Sequence, residues 1–299
     1  MIINLMPDDL SASLPSQLKY ICFPDGQPHF EVTGLGESLD SYPCDVHARI
    51  ASGQDLLRLA CLADCLHNNG VDTAYLNLWW VMGARMDREI NGGTLTARVV
   101  AHMINDMAIG WDCVYLLDPH SDVLPALIDR SEVVTSEWLV RRHLDRNNLC
   151  QHNAVLVAPD AGAAKKVEAI GRALKMPVLQ ALKHRDVNTG ELSGFSIQEH
   201  QMTRDQRMSY VIVDDICDGG GTFAGLAETI HQHWQTKGWV QPTSDSEKIT
   251  PYIHLVVSHG IFSKGFDLNQ IDRITTTNSY RDRKPSTVPS WVRIENVLD

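Results

Sequence analysis

The stretch VIVDDICDGGGT, residues 211–222, places Asp214, Asp215 and Asp218 between an apolar run and a turn made of Gly219, Gly220, Gly221 and Thr222. Glycines let the backbone adopt positive φ and bring N–H groups close to an anion. The start of the helix that follows adds partial positive charge, and the Thr222 hydroxyl adds a donor. A phosphate alone gains nothing from neighbouring carboxylates. A ribose does, because carboxylates accept hydrogen bonds from its vicinal hydroxyls. The pattern therefore predicts a ribose-phosphate cradle, with the sugar on Asp214 and Asp215 and the 5-phosphate in Asp218–Thr222. A tight strand-to-helix turn with solvated aspartates is the plainer account, and the strand with three acids ahead of three glycines weighs against it.

Other chemistry-bearing residues stand at the ends of apolar runs, where α/β proteins place ligands. Arg85 follows TAYLNLWWV (73–81), His120 follows CVYLLD (113–118), and Asp160 closes AVLVAPD (154–160). A guanidinium there can fork onto phosphate oxygens or stack on a base. A neutral imidazole can ligate a divalent metal, and a carboxylate can face Mg²⁺ directly or through water. Lys183 and Arg185 alternate along an extended segment, so both can point to one side. Taken singly, each has a plainer account: a solvated arginine, a structural histidine, a basic loop edge.

The elements that carry these residues are legible as an alternation. Runs 73–81, 113–118, 154–160, PVLQAL (177–182), YVIVDD (210–215) and IHLVVSH (253–259) read as strands that are apolar on both faces, as in a parallel sheet covered by helices. The strand before the acid pair is expected to end at Val213. Segments 54–70, 94–110, 162–175 and 222–238 carry apolar residues at three-and-four spacing and read as helices. The predicted fold class is α/β with right-handed crossovers. Two such units are expected, 1–142 and 143–299, joined through the basic, polar RRHLDRNNLCQHN, with the site between them and with the last strand a candidate to return to the first unit. HRDVNTGELSGFS (184–196) and QPTSDSEKITP (241–251) read as loops, and SYRDRKPSTVPS (279–290) as irregular.

Composition narrows the function classes. The chain has 299 residues, 43% hydrophobic and 21% charged, an ordinary globular balance. A net charge of −11 argues against binding nucleic acid or an acidic membrane surface, so a phosphate ligand must be met by local features. The seven cysteines form no CxxC pair, which points to free thiols in a reducing compartment rather than to zinc or a disulfide framework. No run reaches membrane-spanning length and the start has no signal-peptide pattern, so the cytoplasm is the expected location.

Residues 211–222 resemble the phosphoribosyl pyrophosphate loop shared by type I phosphoribosyltransferases and ribose-phosphate pyrophosphokinases. Further stretches resemble the pyrophosphokinase family in its own order. FPDGQPHFEV (23–32) is similar to its N-terminal loop, GARMDRE (83–89) to its ATP-contacting arginine segment, and LLDPHSD (116–122) to its metal–ATP histidine. APDAGAAKK (158–166), LKHRD (182–186), SHGIFSKG (258–265) and TTTNS (275–279) continue the match. The resemblance implies two similar phosphoribosyltransferase-like domains, the first binding ATP and the second the ribose phosphate. It implies transfer of pyrophosphate from ATP, with Mg²⁺ as cofactor, to the 1-hydroxyl of ribose 5-phosphate. It further implies ATP contacts from Phe23, Asp25, Gln27, Arg85, Met86, Asp87 and His120, metal contacts from His120 and Asp160, and catalysis by Lys183 and Arg185. The implied assembly is a homo-oligomer built on dimers, up to a hexamer, because the N-terminal loop reaches a neighbour's nucleotide.

Several positions depart from the family pattern. Gly219 stands where a threonine is usual, Gly220 is also a departure, Gln27 replaces an acid, Met86 replaces a glutamine, and SDVLPAL diverges after the histidine. Two glycines in the cradle are expected to leave room beyond the 5-phosphate. That brings in ADP-ribose as an alternative acceptor, in the service of NAD resynthesis. A phosphoribosyltransferase and a non-catalytic associate of a pyrophosphokinase are the further alternatives. The first has no need of Arg85, His120 and Lys183, and the second is disfavoured because the site residues are present.

Overall fold

Alternating apolar strands and amphipathic helices build two parallel sheets. The computed structural model describes residues 1–7, 10, 13–33, 43–185, 192–197, 208–242 and 248–299, with no side chains for 183–185, 192–193, 241–242 and 248–249. The chain divides into two compact units, Met1–Thr135 with Ser279–Asp282, and Ser136–Asn278 with Arg283–Asp299.

The first unit holds β1 (Ile2–Asn4), β2 (Leu18–Cys22), β3 (Pro28–Val32), β4 (Cys44–Ile50), α1 (Gly53–Asn68), β5 (Ala74–Val81), α2 (Thr96–Asn105), β6 (Cys113–Leu117), α3 (Val123–Leu127) and β7 (Ser131–Val134). Its sheet is wholly parallel, in the order β1-β4-β5-β6-β7, and β2 and β3 form a separate antiparallel hairpin. Helix α1 starts where the sequence signals it: Ser52 and Asp55 form a capping box that satisfies two N–H groups otherwise left without partners. Helices α1 and α2 share one core with the sheet, including Leu59, Leu62, Leu66, Val100, Ile104, Val46 and Leu76. The expectation that 73–81 is covered on both faces is not met. Along β4 and β5 buried residues alternate with half-buried ones, Asp45, His47 and Arg49 on one strand, Tyr75, Asn77 and Trp79 on the other. Both helices pack on the same face, and Trp79 stacks on His47 across the other.

The second unit holds α4 (Glu137–Arg146), β8 (Ala154–Ala158), α5 (Ala161–Leu174), β9 (Val178–Arg185), β10 (Leu192–Ile197), β11 (Ser209–Cys217), α6 (Gly221–Thr236), β12 (Gln241–Pro242), β13 (Lys248–Ile249), β14 (Tyr252–Gly260), β15 (Arg273–Thr277) and β16 (Val292–Glu295). Its main sheet runs β10-β9-β8-β11-β14-β15-β16, antiparallel only at β10. Here the run-on apolar strands are buried on both faces. Val155, Val157, Ile212 and Leu255 join the core under α6, while Leu156, Ala158, Val211 and Val256 join a second core under α4 and α5.

Three expectations need correction. The basic stretch read as a linker begins inside α4, so the units part at 135/136 rather than 142/143. The reason is tertiary. Leu139, Val140 and Leu144 sit in the second unit's core, and Arg142, Arg146 and Arg293 converge on the buried Glu295 of β16. His143 also anchors the helix: its Nδ1 lies 2.8 Å from Oγ1 of Thr275 and its Nε2 2.9 Å from Nδ1 of His254. Burial, with Arg273 adding to it, pushes His143 down to about 4. Burial, then the charges of His143 and Arg273, pushes His254 to about 3. Second, the last strand does not return to the first unit, because β16 pairs with β15 from Ile274↔Val292 to Thr277↔Glu295. Third, 184–196 is not simply a loop. Strand β9 continues to Arg185 and pairs with β10, Phe195 opposite Lys183, while 186–191 lie outside the described residues.

Candidate active site

The acid pair sits where the second sheet opens. Strand β11 does not end at Val213 but runs to Cys217, held there by β14, whereas its pairing with β8 stops at Ile212. Asp214 and Asp215 therefore lie on regular strand with one neighbour gone. Asp215 is buried, and its N–H donates to Oδ1 of Asp214 at 2.9 Å. Burial pushes the Asp214 carboxyl well up; the charge of Asp215 and a hydrogen bond with its side chain add to that, and the charge of Lys166 on α5 opposes it. A carboxyl in that state gains from any donor that arrives, such as a sugar hydroxyl or a cation.

The glycine turn follows directly. Gly220 caps α6 in the left-handed region at φ 75°, and a Cβ there would stand 2.2 Å from Cδ2 of Leu268. Only glycine fits that position. The N–H groups of Phe223 and Ala224 bond back to the Gly220 carbonyl at 3.1 and 3.0 Å, and the partial positive charge at the start of α6 suits an anion. The room expected from two glycines is not there at Gly220, since Leu268 fills it. At Gly219 the adjacent atoms are Cδ and Cε of Lys264, 3.5 Å from where a Cβ would stand.

Asp160 has a structural task. It is the N-cap of α5, its Oδ1 accepting from the N–H groups of Gly162 and Ala163 at 3.0 and 3.1 Å. One carboxylate oxygen remains for a cation. Among the described residues no three His, Cys, Asp or Glu side chains form a metal cage. Paired acids with few other protein ligands fit Mg²⁺, which keeps its waters and is held largely by substrate phosphates. Lys183 and Arg185 lie on β9, but their side chains are outside the described residues.

In the first unit, the candidates sit at three exposed points. The tip between β2 and β3 turns at Gly26, φ 88°, with Gln27 N donating to Oδ1 of Asp25 and Gln54 holding the Gly26 carbonyl. This leaves Phe23, Asp25 and Gln27 exposed. Beyond β5, Gly83 lies at φ 80° against Thr96, and the turn bonds Met86 N to Gly83 O, so Arg85 and Met86 project outward and Asp87 pairs with Arg88. Beyond the neighbouring β6, buried Asp118 takes φ 40°, a strained value for a non-glycine residue, just ahead of exposed His120. Arg85 and His120 thus follow the carboxyl ends of adjacent parallel strands. Lys166 and Lys264 were not singled out from sequence; each lay inside a quoted stretch, APDAGAAKK and SHGIFSKG, with no signal separating it from a surface lysine.

Comparison with known proteins bears on this arrangement. The ribose-phosphate pyrophosphokinase of Thermococcus kodakarensis is 24% identical over 285 residues, covering 91% of this chain and 90% of the relative. That of Marinomonas sp. is 27% identical over 189 residues, covering 62% of this chain and 58% of the relative. Along most of its length the chain is similar to ribose-phosphate pyrophosphokinases. No family model matches it. The fold is similar to that of the phosphoribosylpyrophosphate synthetase from Mycobacterium smegmatis, at a TM-score of 0.69 and 16% identity over 94% of this chain and 86% of that one. That likeness identifies the two parallel sheets as phosphoribosyltransferase-type.

Proposed function

We propose that the protein transfers the diphosphoryl group of ATP to the 1-hydroxyl of ribose 5-phosphate, giving phosphoribosyl pyrophosphate and AMP for nucleotide synthesis. The observation that carries this reading is the β11–α6 connection, where a desolvated acid pair meets a glycine turn at a helix start. The ribose oxygen attacks the β-phosphorus, the bond to the α–β bridging oxygen breaks, and AMP leaves. Catalysis in such a transfer is mainly positioning and charge stabilisation. Asp214 and Asp215 orient the sugar hydroxyls; Asp218, Gly219, Gly220, Gly221 and Thr222 hold the 5-phosphate. In the first unit Arg85 and His120 hold ATP phosphates, with Met86 and Asp87 beside them. Lys183 and Arg185 meet charge on the transferring group. Mg²⁺, when bound, neutralises phosphate charge; the free oxygen of Asp160 and the His120 imidazole are its candidate protein contacts.

The exposed tip at Phe23, Asp25 and Gln27 fits a nucleotide contact across a dimer-based homo-oligomer, and we place the protein in the cytoplasm. No described helix is long and apolar enough to cross a membrane. ADP-ribose is the second reading for the acceptor, favoured by the missing side chain at Gly219. AMP release from ATP with Mg²⁺ and each sugar tests both readings. Turnover with ribose 5-phosphate is the expected outcome, and Arg185→Ala should lower kcat ~10²-fold with little change in substrate affinity. Absence of AMP with either sugar removes the assignment.

A further inference from the structure

The loop after β14 is sewn to the glycine turn. The N–H groups of Ile261 and Phe262 donate to the Cys217 carbonyl at 2.9 and 3.1 Å, and that of Ser263 donates to the Asp218 carbonyl at 3.2 Å. Two residues of this loop take left-handed backbone, Phe262 at φ 46° and Gly265 at φ 87°. Arg283 clamps it from behind: its guanidinium lies 4.8 Å from the Phe266 ring centre and donates to the Ile261 carbonyl at 2.7 Å. A strained bulky residue held in place this way marks a segment whose position is imposed by its surroundings.

What the loop presents is Lys264. With Cδ and Cε 3.5 Å from the Cβ position of Gly219, one further bond puts its ammonium within about 5 Å of that point. No hydrogen bond or ion pair to Lys264 is found among the described residues. Gly219 itself does not take positive φ, so its backbone conformation does not call for glycine, in contrast to Gly220. A methyl at 219 would just touch the lysine stem, and a branched side chain would displace it. The lysine stem thus lies over the glycine at ordinary contact distance.

We propose that Lys264 is a phosphate-binding residue of the acceptor site, selecting the phosphoryl group on C5 of a pentose. This rests on the reading of Asp218–Thr222 as the 5-phosphate cradle. In a chain of net charge −11, with three aspartates in the motif, a phosphate needs a nearby cation. An ammonium on a flexible stem offers three donors without a fixed fork, so it can meet either a terminal monoester or the first phosphate of a diphosphate bridge.

The test uses Lys264→Ala, Lys264→Arg and the wild type with ATP, Mg²⁺ and three acceptors: ribose 5-phosphate, ADP-ribose and unphosphorylated ribose. Losing a charge-assisted contact should raise KM for phosphorylated acceptors ~10-fold or more. The KM for ribose should stay put, kcat should change far less than KM, and Lys264→Arg should restore most of the loss. A larger effect on ribose 5-phosphate than on ADP-ribose identifies the monoester as the ligand, and the reverse identifies the diphosphate. Unchanged KM for both phosphorylated sugars, or an equal rise for ribose, overturns the proposal. Calorimetric titration of ribose 5-phosphate without ATP separates this from the proposed activity. If the wild type turns over neither sugar but binds ribose 5-phosphate, a ~10-fold weaker Lys264→Ala upholds the lysine and equal binding overturns it. No binding by the wild type overturns both.

Discussion

The two sheets share a parallel plan and differ in how they are covered. In the second unit β8 is buried at every residue, β11 is buried through Val213, and two cores flank them, one under α6 and one under α4 and α5. In the first unit β4 and β5 alternate between buried and half-buried residues over a single core. The doubly covered sheet carries the acid pair within β11, just past the stretch buried through Val213, where surroundings can fix a carboxyl's position and charge. The singly covered sheet carries its candidate residues on turns beyond the strand ends, where they meet solvent. Precision of placement follows the number of faces that are packed.

If this contrast holds, truncation should hurt the second sheet far more. Leu156→Ala, at a fully buried position, should cost about 2–5 kcal/mol, whereas Asn77→Ala on the half-buried face should cost under about 1 kcal/mol. Thermal unfolding of both variants checks the ranking, and equal losses would remove the distinction. Acid should also act on the second unit. His143 and His254 titrate near 6.5 when unfolded and are held to about 4 and about 3 when folded. Their contribution to stability is therefore complete above 6.5 and falls as pH drops from there toward 4. A melting temperature that declines over that range, with the decline reduced in His143→Gln, is expected by circular dichroism. The smallest effect concerns Asp214. Its raised carboxyl opposes folding once it ionises, so Asp214→Asn should raise the ligand-free melting temperature by ~2–4 °C, equivalent to about 1 kcal/mol, while weakening ribose 5-phosphate binding.

Much of this arrangement was legible in the chain. The strands and helices around 154–175 and 210–238 announced themselves because burial on both faces leaves uninterrupted apolar runs, whereas Asp214 and Asp215 lie inside β11 rather than beyond its end at Val213. The half-covered face of β5 was hidden because Tyr75, Trp79 and Trp80 read as core residues whichever way they point. Helix α4 was hidden because its arginines and His143 look like a solvated linker until Glu295, Thr275 and His254 arrive from distant parts of the chain. Lys264 was hidden for the same reason, as its relation to Gly219 exists only once β14 lies beside β11. Pairings across long sequence separation leave no local period to read.

Glu295 has a property that none of its partners shares. Arg142, Arg146 and Arg293 all turn to this one acid, and Arg146 already feels the charges of the other two. Any one arginine could be spared with the other two still held by the carboxylate. Remove the carboxylate, and what had been a latch between the first helix and the final strand of the unit becomes three like charges pushing them apart.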